Sequence, residues 1–230
     1  MSISDSLPAV DPAQVGERIA EVEERLAEAS GGRTRLLPVT KAFGVDAVRA
    51  TVACGHPAVG ENYAQELLGK AAEMAEAGTG DEVEWHMIGG VQRGKVRQLG
   101  RLVSLWQTVD RVPLVDELAK RVPGARILVQ VDPSGSPGKG GCQPGAVADL
   151  VQRAKDGGLV VAGLMTVGVQ NDIAATASCF ATVARLADEL GLDELSMGMT
   201  DDLELAVEHG STMVRVGRAL FGERPLRPDA

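Results

Sequence analysis

The sequence predicts an α/β protein built as a (β/α)8 barrel of the TIM type, a single domain with an extra N-terminal helix. Three observations carry that expectation. Apolar, β-rich runs recur along the 230 residues, each followed by a stretch with helical spacing of its apolar positions. Several runs are nearly continuous in apolar residues, the mark of parallel strands covered by helices outside and packed against one another inside. Eight strand–helix units spread over roughly 200 residues match the short end of the barrel's size range. An open doubly wound sheet is the alternative arrangement of the same units.

The extra helix is expected over Pro12–Glu28, ahead of the first strand. Strands are expected at Arg35–Lys41, Pro57–Asn62, Glu84–Gly90, Leu102–Asp110, Ala125–Pro133, Leu159–Val167, Glu194–Thr200 and Ser211–Gly217. Amphipathic helical stretches lie between them at Asp46–Cys54, Tyr63–Ala77, Val112–Arg121, Pro144–Lys155, Ala174–Leu190 and Asp201–Glu208. The strand ends are polar or glycine-rich, as in "TKAFG", "GENYAQE", "TVDR", "SMGMTDD" and "VRVGRALFG". A barrel places its chemistry at those C-terminal ends. No linker or low-complexity tract divides the chain, and the core is expected over about residues 11–224.

A formal net charge of −9 opposes sequence-independent binding to nucleic acid or to an anionic membrane. Cys54, Cys142 and Cys179 are scattered and odd in number, as in a reducing compartment. The first residues, "MSISDSLPAV", lack the basic and apolar segments of a secretory signal. The run "LVVAGLMTVGV" is too short to span a bilayer. A cytoplasmic protein is therefore expected; a monomer is the working expectation, which no feature of the sequence decides.

Lys41 is the first residue with a chemical reading. It closes an apolar run, and lysine is rarely buried without a reason. Alternation puts Leu37, Val39 and Lys41 on one strand face and Leu36, Pro38 and Thr40 on the other. At the mouth of a barrel, a partly desolvated lysine can form a Schiff base with an aldehyde. A lysine reaching from a strand end to solvent fits the spacing equally well. In the last strand Met213, Arg215 and Gly217 share a face, with Val214 and Val216 suited to packing against helices. That aims Arg215 into the barrel, where it needs an acceptor. The loop from Gly217 into a helix near Arg218, together with Ser196 in "LSMGMTDD", suits a phosphate. An ion pair of Arg215 with one of the chain's carboxylates is the structural alternative.

The blocks "LLPVTKAFG", "VGENYAQELLGK", "WHMIGGVQRGKVR", "GLMTVG" and "LSMGMTDDLELAVEHGSTMVRVGRALFGER" together resemble the pyridoxal phosphate homeostasis protein family. These are single-domain relatives of the N-terminal barrel of alanine racemase, fold type III pyridoxal-phosphate proteins. The resemblance runs in order over about residues 11–224. It implies a Schiff base between Lys41 and pyridoxal 5′-phosphate, with Arg215 facing the pyridine nitrogen. It also implies that Ser196, Gly217 and the N–H of Arg218 hold the phosphate, while Asn62 and Met197 line the ring. The implied role is to hold the cofactor for intracellular vitamin B6 homeostasis, with cofactor-requiring apoenzymes as candidate recipients. A guanidinium at the ring nitrogen keeps that nitrogen unprotonated and the ring a weak electron sink.

Three positions depart from the family pattern. Phe43 stands where a second lysine is common, Arg218 where a small hydroxyl residue is usual, and Gly90 where proline is frequent, which should loosen that loop. His86 reads as a hydrogen-bonded barrel residue, and His56 and His209 as solvated residues beside turn glycines. No histidine spacing suggests a metal. The glycine-rich stretch 133–141 lacks phosphate-loop spacing and reads as a mobile loop whose Lys139 approaches the cofactor from above.

A pyridoxal-phosphate-dependent amino-acid racemase is the second reading. Racemisation uses two opposed bases, and in alanine racemase the second sits on a further C-terminal domain. This sequence stops at "FGERPLRPDA" and its single tyrosine is Tyr63, so binding without racemase turnover is expected. A cofactor-free Schiff-base lyase is the third reading, weakened because "GLMTVG" on strand six lacks a lysine.

Overall fold

The computed structural model describes residues 10–136 and 138–223, so the far end of the expected core, Arg224, lies outside the described residues. Strands β1 (Arg35–Pro38), β2 (Ala58–Glu61), β3 (Glu84–Met87), β4 (Val103–Val109), β5 (Arg126–Gln130), β6 (Val160–Met165), β7 (Glu194–Ser196) and β8 (Met213–Val216) form one eight-stranded parallel sheet. Its order runs from β1 through β8 back down to β2. The two ends meet through a parallel bridge between Val39 and Gly60 and a 3.1 Å bond from the Thr40 N–H to the Gly60 carbonyl. The sheet is therefore a barrel rather than an open doubly wound sheet.

Alternation along each strand divides the apolar residues into two layers. Leu37, Leu105, Leu128, Met165 and Met213 plug the interior. Their strand neighbours, such as Val59, Trp85, Ile127 and Leu195, face the surrounding helices. Those helices are α2 (Val45–Ala53), α3 (Ala64–Glu76), α4 (Arg93–Leu99), α5 (Val112–Arg121), α6 (Val147–Asp156), α7 (Ile173–Leu190), α8 (Leu203–Glu208) and α9 (Arg218–Phe221).

The additional helix, α1 (Pro12–Ser30), starts where the sequence demands it. Asp11 caps it, accepting from the Ala13 N–H at 3.0 Å, and Pro12 occupies the first helical position, where no N–H is needed. Gly31 ends it in the left-handed region at φ 60°, donating to the Ala27 carbonyl. Val15, Ile19, Val22 and Leu26 form its buried stripe, each contributing roughly 1.5–3 kcal/mol on burial. They pack with Leu36, Ala47, Ala50, Leu203, Val214, Val216 and Leu220, so α1 covers the outside of the β1–β8 seam. Phe43, the residue in place of a second lysine, belongs to this cluster, its ring tilted against Phe221 at 5.3 Å.

Two expectations need correction. Helix α4 was not foreseen, because its seven residues bury only Val96 and Leu99 and so carry almost no periodic signal. The strands also end earlier than the apolar runs do. At β7 the cause is local: Gly198 takes φ 96°, and a Cβ there would stand 2.5 Å from that of Ala206. No helix among the described residues is long and apolar enough to cross a membrane.

Candidate active site at the barrel mouth

The residues expected to hold the cofactor lie at or just beyond the C-terminal ends of four neighbouring strands, β7, β8, β1 and β2. Within β1 and β8, Leu37 is paired with Arg215 and Pro38 with Val216. Gly217 follows directly, and a Cβ there would lie 3.0 Å from the Val39 carbonyl oxygen, so the segments leaving β1 and β8 approach closely at this glycine. Asn62 follows β2 on the other side of β1.

Lys41 lies beyond β1 rather than at its last position. The strand ends at Pro38, and Lys41 sits half-buried in a turn closed by the Phe43 N–H on the Thr40 carbonyl at 3.1 Å. The next residue, Ala42, is held at φ 67°, a conformation that residues with a Cβ rarely adopt. Alternation along β1 could not say which face turns inward; the structure puts Leu37 inside the barrel, and the strand ends before Lys41.

Arg215 points into the barrel, and its side chain is buried. It donates to the Ser196 carbonyl and the Ser196 hydroxyl, both at 2.7 Å, and to the Thr166 carbonyl at 2.8 Å. No carboxylate among the described residues lies within ion-pair distance of it, so the structural ion pair is not what satisfies it. Burial pulls its pKa down to about 10, the negative charge of Asp202 opposing, and it remains protonated at neutral pH.

Ser196 is fully buried, and its one hydroxyl proton goes to Gln107 Oε1 at 2.7 Å. The Gln107 amide nitrogen in turn meets His86 Nδ1 at 3.0 Å. Because Oε1 accepts from Ser196, the amide donates to Nδ1 and leaves the ring proton on Nε2. Burial, with the positive charges of Arg35 and Arg126, holds the His86 pKa down to about 4, so the ring is neutral. Arg215, Ser196, Gln107 and His86 thus form a single donor-to-acceptor chain through the barrel interior. Gln107 was missed in the sequence, although a glutamine inside the apolar run "SLWQTV" was the available signal.

The other expected residues are placed as follows. Met197 is wholly buried in the layer between strands and helices, away from the interior plug. The Arg218 side chain pairs with Asp201 at 2.7 Å on the surface. The backbone N–H groups of Gly217 and Arg218 find no acceptor among the described residues. Lys139 donates to the Gly168 carbonyl at 2.8 Å, joining the loop after β5 to the loop after β6; Pro137 of that loop lies outside the described residues. At Gly90 a Cβ would meet nothing, so the position has room for a side chain. His86 is the hydrogen-bonded barrel residue expected, whereas His56 and His209 are less solvated than expected. His56 meets Glu23 of α1 at 3.2 Å, and His209 stands edge-on to Phe180 at 6.5 Å.

A second buried polar group escaped notice in the sequence. Behind the Lys41 turn, Glu61 Oε1 accepts from the Thr40 hydroxyl at 2.6 Å and from Lys70 Nζ at 2.5 Å. Lys70 also donates to the Thr40 carbonyl at 2.7 Å, and Glu66 accepts the Ala42 N–H at 2.8 Å. Burial pushes the Glu61 carboxyl up, with the Lys70 charge pulling the other way.

Residues 10–225 match the family model of the alanine racemase N-terminal domain. A pyridoxal phosphate homeostasis protein of Pseudomonas aeruginosa is 38% identical over 226 residues, covering 91% of this chain and 96% of its own. The chain belongs to the pyridoxal phosphate homeostasis protein family. A member from Deinococcus radiodurans is 38% identical over 94% of this chain and 99% of its own. Among solved structures, PipY of Synechococcus elongatus with PLP bound superposes with a TM-score of 0.78 at 29% identity, covering 90% of this chain and all of that one. Alanine racemase of Streptomyces coelicolor shares the fold at a TM-score of 0.74 and 23% identity, matching 94% of this chain and 60% of that one.

Proposed function

We propose that this protein binds pyridoxal 5′-phosphate at the barrel mouth, holds it on Lys41, and serves vitamin B6 homeostasis without racemase turnover. The observation that carries the reading is family membership over nearly the whole chain, including a PLP-bound relative, together with a lysine, an arginine and a glycine-bounded backbone gap at adjoining strand ends. The cofactor supplies an aldehyde, which a neutral lysine amine captures reversibly.

The chain's residues divide that task by position. Lys41 provides the amine on a rigid turn. Gly217 and Arg218 offer backbone N–H groups for the phosphate, and the Arg218 guanidinium, engaged by Asp201, leaves that role to its backbone. Ser196 contributes by fixing Arg215, because its proton is committed to Gln107. Arg215 keeps a proton-saturated group beneath the mouth that cannot act as a proton source for the pyridine nitrogen. Asn62 would border a bound cofactor, and Met197 would act through its backbone, since its side chain packs outward. The chain works as one domain, monomeric and cytoplasmic, and passes the cofactor to apoenzymes that need it.

Borohydride reduction followed by peptide mapping tests the reading. Cofactor-loaded protein is expected to be yellow and to carry one reduced pyridoxyl group on Lys41; Lys41→Ala loses both the absorption band and the label. A label elsewhere, with Lys41 unmodified, overturns the assignment. Interconversion of D- and L-alanine at enzymatic rates overturns the non-catalytic role instead.

A further inference from the structure

We propose that Glu61 and Lys70, acting through Thr40 and with Glu66, are positioning residues that clamp the turn carrying Lys41. The inference rests on the reading of Lys41 above and deepens it by naming what holds that lysine in place.

The residues on either side of Lys41 are both held from α3. On the N-terminal side, Lys70 grips the Thr40 carbonyl while the Thr40 hydroxyl and Lys70 converge on one Glu61 oxygen. On the C-terminal side, Glu66 accepts the Ala42 N–H. Glu66 and Lys70 are four apart on α3, so they lie on one face and reach the same turn.

Two features set this apart from ordinary packing. Thr40 and Glu61 are wholly buried and Lys70 is nearly so, and the second Glu61 oxygen has no hydrogen-bond partner among the described residues. A buried ion pair rarely outperforms apolar residues of the same size, so stability alone gives little reason for one here. The second feature is Ala42 at φ 67°, since a strained conformation persists only where its surroundings over-determine it. The strain and the ion pair meet at the residues adjoining Lys41. Fixing an amine within a narrow range of positions is what rapid capture of an aldehyde requires.

The test uses the full chain with the double substitution Glu61→Leu and Lys70→Met, which removes both charges together. Its melting temperature is expected to stay level or rise. Without any cofactor, amide hydrogen exchange at Ala42 and Phe43 should quicken by about tenfold or more. With added pyridoxal phosphate, growth of the Lys41 band should slow by about tenfold or more, with borohydride label spreading to other lysines. Thr40→Val should show a weaker version of both effects, and Thr40→Ser should restore wild-type behaviour. A folded double variant with wild-type exchange and capture overturns the proposal. Should the double variant not fold, Thr40→Val decides in the same way: unchanged exchange and capture there overturn the proposal. Failure of wild-type protein to label at Lys41 sinks the cofactor assignment alone, because amide exchange still reports on the clamp.

Discussion

The molecule buries charge in two places and solves the problem differently in each. Inside the barrel, Arg215 is satisfied by two carbonyl oxygens and a hydroxyl, with no carboxylate at ion-pair distance among the described residues. In the wall behind β1, Lys70 is met by a carboxylate, Glu61, and a carbonyl. A guanidinium has a planar fork of donors that fits several neutral acceptors at once, whereas an ammonium concentrates its charge at one point. The outcome for the site differs accordingly. Dipoles solvate the positive charge of Arg215 without a paired carboxylate, and only the field of Asp202 offsets it. The wall pair cancels itself and serves geometry.

The largest way to strain this comparison is to break the wall pair from one side. Lys70→Ala leaves Glu61 buried with only the Thr40 hydroxyl, and should lower unfolding stability by about 3–5 kcal/mol in denaturant titration. A loss below about 1 kcal/mol, the range of exposed pairs, would show the pair to be no more than a surface contact.

The interior chain should announce itself through pH. His86 has its pKa depressed to about 4 in the folded state against an ordinary value of 6.5, so its contribution is present above pH 6.5 and is lost as pH falls towards 4. The loss should reach about 3 kcal/mol at the bottom of that window. His86→Gln should flatten that part of the wild-type stability curve; an unchanged curve would mean that His86 titrates like a solvated histidine.

A smaller effect is expected from Gln107→Met, which removes the acceptor of Ser196 and the donor to His86. It should cost about 1–3 kcal/mol, the range for a buried hydrogen-bonding group left unpaired. The two clusters share no hydrogen-bonding partner, so combining Gln107→Met with Lys70→Ala should give additive losses within about 0.5 kcal/mol. A larger coupling would show that interior and wall respond as one unit.

Much of this could be read in the chain, for reasons that differ by element. Helix α1 was expected over Pro12–Glu28 from its amphipathic spacing and runs over Pro12–Ser30, because its buried stripe is long and regular. Helix α4 carries two buried apolar residues and was not legible. The face of Arg215 followed from alternation because β8 is regular through Val216, whereas Lys41 sits past the end of β1 in a turn whose left-handed residue is an alanine. Ser196 was read as a phosphate ligand from its place in "LSMGMTDD"; that its hydroxyl donates to a partner 89 positions away could not be read there. The resemblance implied that Met197 lines the ring; that its side chain belongs to the layer between strands and helices was not legible.

The order of apolar runs, the amphipathic helices and the family blocks determined the barrel, its extra helix and the strand ends where the candidate site is proposed. These are properties of short segments, set by periodicity and local backbone preference, and they survive in a linear string. Which buried polar groups meet was decided only by closure of the ring. Closure brings Thr40 onto Glu61 and Lys70 from the next unit, and strings Arg215, Ser196, Gln107 and His86 together from β8, β7, β4 and β3. A hydrogen bond depends on distance and angle between atoms, and spacing along the chain does not encode either across a closed sheet.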